Sequence, residues 1–336
     1  MPASEFRCYL VNRDAEKRVT AAVTTLPIDK LPPGDVLIRV TCSSLNFKDG
    51  LAASGRPGVA KTYPHIPGID AAGIVAESTS PQFKAGQKVI VTGYDLGAGH
   101  WGGYAEYIRV PAGWVVPLPE GLSLPESMIY GTAGLTAAMS LEALIEQGVT
   151  PAKGEIVVTG ATGGVGSVAV ALLAKAGYRV AAVTGKPEAA DYLKQLGATT
   201  ILAREEVNDT SPKPLLPGRW AGAVDTVGGN TLATIIRSTE RGGCVTASGL
   251  VGGVELPLTV MPFILRGVKL VGIDSAEYPM EKRVALWKKM AGEWRPDKLE
   301  MMMTRVVSLE HLDEPVREIL AGKIRGRVVV RVASEN

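Results

Sequence analysis

Apolar residues recur along this chain in two rhythms, and the change of rhythm divides it. In the first third they alternate with polar residues, as half-buried strands do. Residues 35–40 read as a strand after the turn Pro32-Pro33-Gly34, and 88–92 as another after Lys84-Ala85-Gly86. Residues 103–110 alternate over their whole length. Proline and glycine interrupt this region at short intervals, which predicts a partly open antiparallel barrel. Near Leu124 the rhythm changes. Residues 125–147 carry helical spacing, with Leu135, Met139, Leu141, Leu144 and Ile145 available for one broad face. Short apolar runs then alternate with amphipathic segments: strands at 155–159, 179–183, 199–202, 223–225, 244–247 and 269–272, helices at 164–177 and 188–196. That alternation predicts a doubly wound parallel sheet covered on both faces, an α/β unit. The tail predicts helices at 281–293 and near 312–321 and a last strand at 326–332, and it is expected to return to the first lobe.

Composition narrows the class only modestly. The 336 residues are long for one core, so two lobes are the default. Many of the 39 glycines stand in apolar, strand-like surroundings, which favours tight turns over flexible linkers. A net charge of +2 suggests neither a nucleic-acid nor an anionic-membrane partner. The most apolar window, 165–176, contains Lys175 and is too short to span a bilayer. The sequence from Met1 to Arg7 has no basic-then-apolar leader, and Cys8, Cys42 and Cys244 are far apart, so a cytoplasmic protein without disulfides is expected.

The chemistry concentrates at residues 155–167. An apolar strand runs into Gly160-Ala161-Thr162-Gly163-Gly164-Val165-Gly166, and an Ala/Val/Leu-rich helix follows at once. Dinucleotide binding requires this order: glycines let the backbone approach a diphosphate, and the helix start presents free N–H groups and a positive dipole end. Against G-x-G-x-x-G, Ala161 takes the first glycine position, with Gly163 and Gly166 in the second and third. Coenzyme choice is read about 20 residues further on, where an acid marks NAD. Here the strand ends in Thr184-Gly185-Lys186 with no acid. Lys186 would attract a 2′-phosphate, Thr184 would donate to it and Arg204 would reach it, so NADPH is the expected coenzyme. A solvated surface lysine is the plain alternative for Lys186.

With this order of lobes the chain resembles the medium-chain dehydrogenase/reductase superfamily along essentially its whole length. Ser44-Leu45-Asn46-Phe47-Lys48-Asp49, Pro67-Gly68-Ile69-Asp70-Ala71-Ala72-Gly73, Gly103-Tyr104-Ala105-Glu106 and residues 131–137 and 158–166 resemble its quinone-oxidoreductase branch. Residues 201–206, 260–268 and 272–275 are similar to the acrylyl-CoA reductase subgroup. The resemblance implies a GroES-like catalytic domain at 1–124 and 273–336 and a Rossmann NADPH-binding domain at 125–272. It also implies coenzyme contacts from Phe47, Thr162, Gly163, Gly164, Val165, Gly166, Thr184, Gly185, Lys186, Arg204, Leu250, Ile264 and Ser275, and a homodimer joined through Rossmann sheet edges. For Leu250 and Ile264, core packing is an equal alternative.

Zinc members of the superfamily carry Cys where this chain has Asn46, His-Glu where it has Ile69-Asp70, and Cys within 130–132, so no metal is expected. Without an electrophilic metal, hydride addition to an activated C=C is favoured over alcohol dehydrogenation. The expected reaction is reduction of an enoyl thioester such as acrylyl-CoA. Quinone reduction is the second reading, and an NADPH-binding redox sensor without turnover the third. Asn46 is the polar candidate for orienting ribose or substrate, with a buried turn-capping role as its alternative. Tyr63, Tyr94 and Tyr130 are candidate proton donors, and His65 and His100 read as turn or surface residues. Arg56, Lys61, Lys282 and Arg283 could meet coenzyme A phosphates or be ordinary solvated charges.

Overall fold

The structure is a computed structural model that describes residues 4–56 and 58–333; Met1, Pro2 and Ala3, where the leader reading begins, lie outside the described residues. Along the chain the first elements are β1 (Glu5–Arg13), β2 (Val19–Pro27), β3 (Val36–Ser44), α1 (Phe47–Ala53), β4 (Asp70–Ser78), β5 (Lys88–Thr92), β6 (Tyr107–Val110), β7 (Val115–Pro117) and α2 (Leu124–Glu146). Next come β8 (Glu155–Val158), α3 (Gly164–Lys175), β9 (Arg179–Thr184), α4 (Ala190–Gln195), β10 (Thr200–Ala203), β11 (Trp220–Asp225), α5 (Gly229–Arg237), β12 (Thr239–Ala247), α6 (Met261–Arg266) and β13 (Lys269–Gly272). The tail adds α7 (Met280–Ala291), β14 (Met303–Ser308), α8 (Asp313–Leu320) and β15 (Arg327–Arg331).

Two compact units form. The first holds the described residues up to Thr132, Ala276–Gly292 and those from Met303 onward. The second holds Ala133–Ser275 and Glu293–Met302. The division therefore falls inside α2, eight residues beyond the composition change at Leu124, and the tail is shared. In the tail, 293–302 joins the second unit, where Trp294, Leu299 and Met302 are buried and Lys175 meets Asp297 at 2.6 Å.

In the first unit β1 and β2 form an antiparallel pair, and a seven-stranded sheet runs β14-β15-β3-β4-β5-β7 with β6 also on β3. Its core gathers Phe6, Val11, Ile38, Val40, Ile66, Val91 and Val328. The strand expected at 103–110 is shorter. Gly102 and Gly103 donate their N–H groups to loop carbonyls of Ile66 and Gly68, so ladder pairing with β3 begins only at Tyr107.

The second unit is a six-stranded parallel sheet in the order β10-β9-β8-β11-β12-β13. Its inner strands are buried along nearly all their length, as helices on both faces require. Strand order reverses between β8 and β11, and in such sheets ligands bind beyond the C-terminal strand ends at that point.

The broad-faced helix of the sequence reading is bent. Gly131 in α2 takes φ 52 and ψ −155, a left-handed conformation that an L side chain resists. A Cβ at Gly131 would strike Asp70 Oδ2 and lie 2.7 Å from Ser44 Oγ and 3.0 Å from Arg327 Nη2. Among the described residues α2 is also the single helix long and apolar enough to cross a membrane, a length the sequence reading did not weigh, yet its apolar window is mostly buried in the protein. Gly131→Ala is expected to lower the unfolding free energy by more than about 2 kcal/mol, from backbone strain and from the clash together. Urea denaturation checks this, and a loss below about 0.5 kcal/mol would contradict it.

Candidate functional site

The glycine turn follows β8 directly. Gly160 takes φ 57, so it makes the tight turn that the motif alignment gave to Ala161, one residue later. Gly163 donates to Gly160 O at 2.8 Å and stands as the N-cap of α3. Gly166 packs against the carbonyl of Gly160 and 2.8 Å (from a Cβ placed on it) to Ala161 Cα, leaving no room for a side chain. The N–H groups at the start of α3, Gly164 to Gly166, have no preceding turn of helix to accept them and are the free donors an anion needs. Gly163, Gly164 and Val165 are only half-buried, whereas Thr162 and Gly166 are buried.

Beside this turn, β9 ends in Thr184, buried and 3.4 Å (Oγ1 to Oγ1) from Thr162. Thr184 Oγ1 accepts the N–H of Lys186 at 3.0 Å. Arg204 follows β10 and is exposed, and its guanidinium lies over Gly185, where a methyl group would collide with it. Among the residues named from sequence, Thr162 to Gly166, Thr184 to Lys186 and Arg204 thus stand at the C-terminal ends of three adjacent strands. Leu250 and Ser275 follow β12 and β13, and Ser275 Oγ accepts from Thr136 Oγ1 at 2.8 Å. Core packing does not hold for Leu250 and Ile264: they are 64% and 72% exposed, on a glycine-rich loop and on the outer side of a short helix.

Asn46 and Phe47 belong to the first unit. Phe47 opens α1 and is 39% exposed, while Asn46 precedes the helix and is buried. Asp49, one turn into α1, accepts the Asn46 backbone N–H at 2.8 Å and its Nδ2 at 3.2 Å. Asn46 Nδ2 also donates to Asp70 Oδ2 at 2.8 Å, and its Oδ1 accepts from Arg327 Nη1 at 3.2 Å. The Asn46 amide is thus turned inward, its Nδ2 onto two carboxylates and its Oδ1 onto Arg327, while the Asp49 side chain accepts the N–H that opens α1.

Around Asn46 lies a buried polar cluster that sequence reasoning missed. Asp70 accepts from Ser44 Oγ at 2.5 Å, from Thr132 N at 2.9 Å and from Thr132 Oγ1 at 2.6 Å. Arg327 Nη2 stands 3.9 Å from Asp70 Oδ2 and donates to Ser44 Oγ at 2.9 Å. Arg327 also donates to the carbonyls of Ile129 and Leu45. The kink at Gly131 creates this arrangement by making Thr132 the start of a fresh helical segment capped by Asp70. The available signals were an arginine at the head of the apolar run Val328-Val329-Val330 and an aspartate at the head of Ala71-Ala72-Gly73.

Other candidates sort out by their partners. Tyr130 donates to Met290 O at 3.0 Å and Tyr63 to Ala52 O at 3.4 Å. The Tyr94 ring stacks on Trp114 and lies over the Arg283 guanidinium. Arg283 is no coenzyme A contact: it is fully buried and donates to the carbonyls of Thr92, Ala276 and Tyr278. His65, expected at a turn or on the surface, is buried with Nε2 3.0 Å from Gly97 O, and burial holds its pKa below the ordinary value. Lys61 is paired with Asp95.

A dinucleotide-type turn at the head of a doubly wound sheet, joined in one chain to a β unit, defines the class of two-domain nicotinamide-dependent oxidoreductases. Residues 32–120 match the alcohol dehydrogenase GroES-like domain family and residues 164–290 the zinc-binding dehydrogenase family. The acrylyl-CoA reductase AcuI of Ruegeria pomeroyi is 49% identical over 97% of this chain and 99% of its own. Solved structures include the YhdH oxidoreductase of Salmonella enterica in complex with NADP, at 44% identity, TM-score 0.93 and coverage of 97% and 99%. Bacillus subtilis YhfP with NAD bound aligns at 48% identity, TM-score 0.95 and coverage of 98% and 100%. The chain belongs to the medium-chain dehydrogenase/reductase superfamily, in the branch of the quinone oxidoreductases and acrylyl-CoA reductases.

Burial and the nearby Asp70 charge push the Asp49 carboxyl up to about 7, against four N–H donors from Asn46, Gly68 and Ile69. A carboxyl raised on folding holds its proton more tightly in the native state. Its ionisation therefore erodes stability as pH climbs from the ordinary 3.8 to about 7, and no further above that. Relative to Asp49→Asn, the wild-type unfolding free energy is expected to fall across this window; superimposable pH profiles would contradict it.

Proposed function

We propose that the chain is a cytoplasmic, zinc-independent, NADPH-dependent reductase of an activated carbon–carbon double bond, converting acrylyl-CoA to propionyl-CoA. The observation that carries the reading is the corner beyond β9 and β10. There the Lys186 backbone is bonded to Thr184, Thr184 lies beside Thr162 of the glycine turn and the Arg204 guanidinium lies over Gly185, with no carboxylate at the end of β9. The N–H groups at the start of α3 bind the diphosphate, and that corner binds the 2′-phosphate as a charge-assisted acceptor. Bound NADPH supplies the hydride that the β-carbon of the thioester accepts. Asn46 is a positioning residue that fixes the start of α1 and with it Phe47.

Zinc chemistry does not suit the cluster around Asp70. Its donor set holds no thiolate and no imidazole, and both Asp70 oxygens already accept hydrogen bonds, with the Arg327 cation beside them. An α,β-unsaturated thioester is already polarised toward hydride, so its reduction asks less of an electrophile than an alcohol's oxidation does. The acrylyl-CoA assignment draws its support from the R. pomeroyi relative. The three cysteines are free and buried, in keeping with a reducing compartment.

We also propose a homodimer joined through the β13 edge of the parallel sheet. That strand is largely exposed, and Leu250, Val251, Val254, Val260 and Ile264 are exposed near it in sequence, leaving ladder groups and apolar surface for a second copy.

Lys186→Glu is expected to weaken NADPH binding by about 1–3 kcal/mol while leaving NADH nearly unchanged. Equal loss for both coenzymes would contradict the phosphate corner. In a panel of enoyl-CoAs, enones and quinones, acrylyl-CoA is expected to give the fastest NADPH oxidation. Turnover confined to quinones would overturn the thioester reading, and tight NADPH binding without turnover would favour a sensor.

A further inference from the structure

A third buried aspartate lies under the glycine turn, and none of the roles above uses it. Asp225 is the last residue of β11, fully buried at the point where strand order reverses. One carboxylate oxygen accepts the hydroxyl of Thr159 at 2.7 Å. The other accepts the N–H groups of Val227 at 3.3 Å and Gly228 at 2.7 Å. Thr159 is the residue between β8 and Gly160. Its hydroxyl accepts the N–H of Thr226 at 2.9 Å, while the Thr226 hydroxyl donates back to Thr159 O at 2.9 Å. Two neighbouring parallel strands are thus fastened end to end by side chains, just where their ladder stops.

The fastening bears on the turn through one residue. Gly160 lies against the Thr226 hydroxyl so closely that a Cβ would collide with it. Gly160 in turn receives the N–H of Gly163 and supports Gly166. Moving Thr159 or Thr226 therefore moves Gly160, and with it the N-terminal amides of α3.

We propose that Asp225, with Thr159 and Thr226, is a positioning residue for the coenzyme diphosphate, setting the height and tilt of the glycine turn from below. The inference rests on the coenzyme reading above. Because the diphosphate is common to both nicotinamide coenzymes, the triad acts on NADPH and NADH alike, unlike the corner at Lys186.

The test titrates NADPH, NADH and ADP-ribose into the full-length protein and its Thr159→Val, Thr159→Ser and Asp225→Asn variants, with thermal midpoints recorded in parallel. Thr159→Val and Asp225→Asn are expected to raise the dissociation constants of all three ligands by about tenfold, and Thr159→Ser to stay within about twofold of wild type. A Thr159→Val protein with a lowered midpoint and unchanged dissociation constants would make the triad a strand clasp only and overturn the proposal. Loss confined to NADPH would overturn it too. Should Thr159→Val not fold, Thr226→Val, which removes one hydroxyl from a half-buried site, is read by the same criteria. Failure of the unaltered protein to bind any of the three would instead overturn the coenzyme reading and this inference with it.

Discussion

A carboxylate withdrawn from water must find its donors inside the protein, and that demand organises both units. In the first, Asp70 gathers Ser44 from the end of β3, Asn46 from the approach to α1, Thr132 from the break in α2 and Arg327 from β15. Apart from Ser44 and Asn46 these residues are distant in sequence, and the cluster is what brings them to one point. In the second, Asp225 does the same on a smaller scale with the ends of β8 and β11. Removing one member of such a set leaves the others buried without partners, which is why the cost of breaking it exceeds the worth of any single bond.

The charge count differs between the two. Asp70 has a guanidinium near it, and Arg327 receives oxygen ligands on every nitrogen. Asp225 has only a hydroxyl and backbone amides, and burial pushes its carboxyl above the ordinary value. The first cluster therefore carries its own counter-charge, and the second depends on one hydroxyl and backbone N–H dipoles.

How much of this was legible in sequence follows from range. The parallel strands and the glycine turn were legible because each is written locally, in a buried run followed at once by a punctuating residue. That Thr184, Lys186 and Arg204 stand at the ends of neighbouring strands was legible because Thr184 and Lys186 are close in sequence and Arg204 follows the next strand. The pair β1 and β2, the short α1 and the strand β14 were not identified: β2 alternates between exposed and half-buried positions without a clear apolar face, α1 is brief, and β14 pairs with β15 across an intervening helix. The break at Gly131 was invisible because helical spacing continues on both sides of it. The Asp70 cluster was unreadable for a stronger reason: Ser44 and Arg327 are 283 residues apart, and no periodicity reports such a meeting.

The guanidinium resting over Gly185 has a practical consequence. An exposed guanidinium at the end of the parallel strands is open to small oxyanions as much as to a nucleotide. Under the coenzyme reading proposed above, phosphate or sulfate buffers compete for that perch, and coenzyme discrimination measured in them understates what the protein achieves in a medium of weakly coordinating ions.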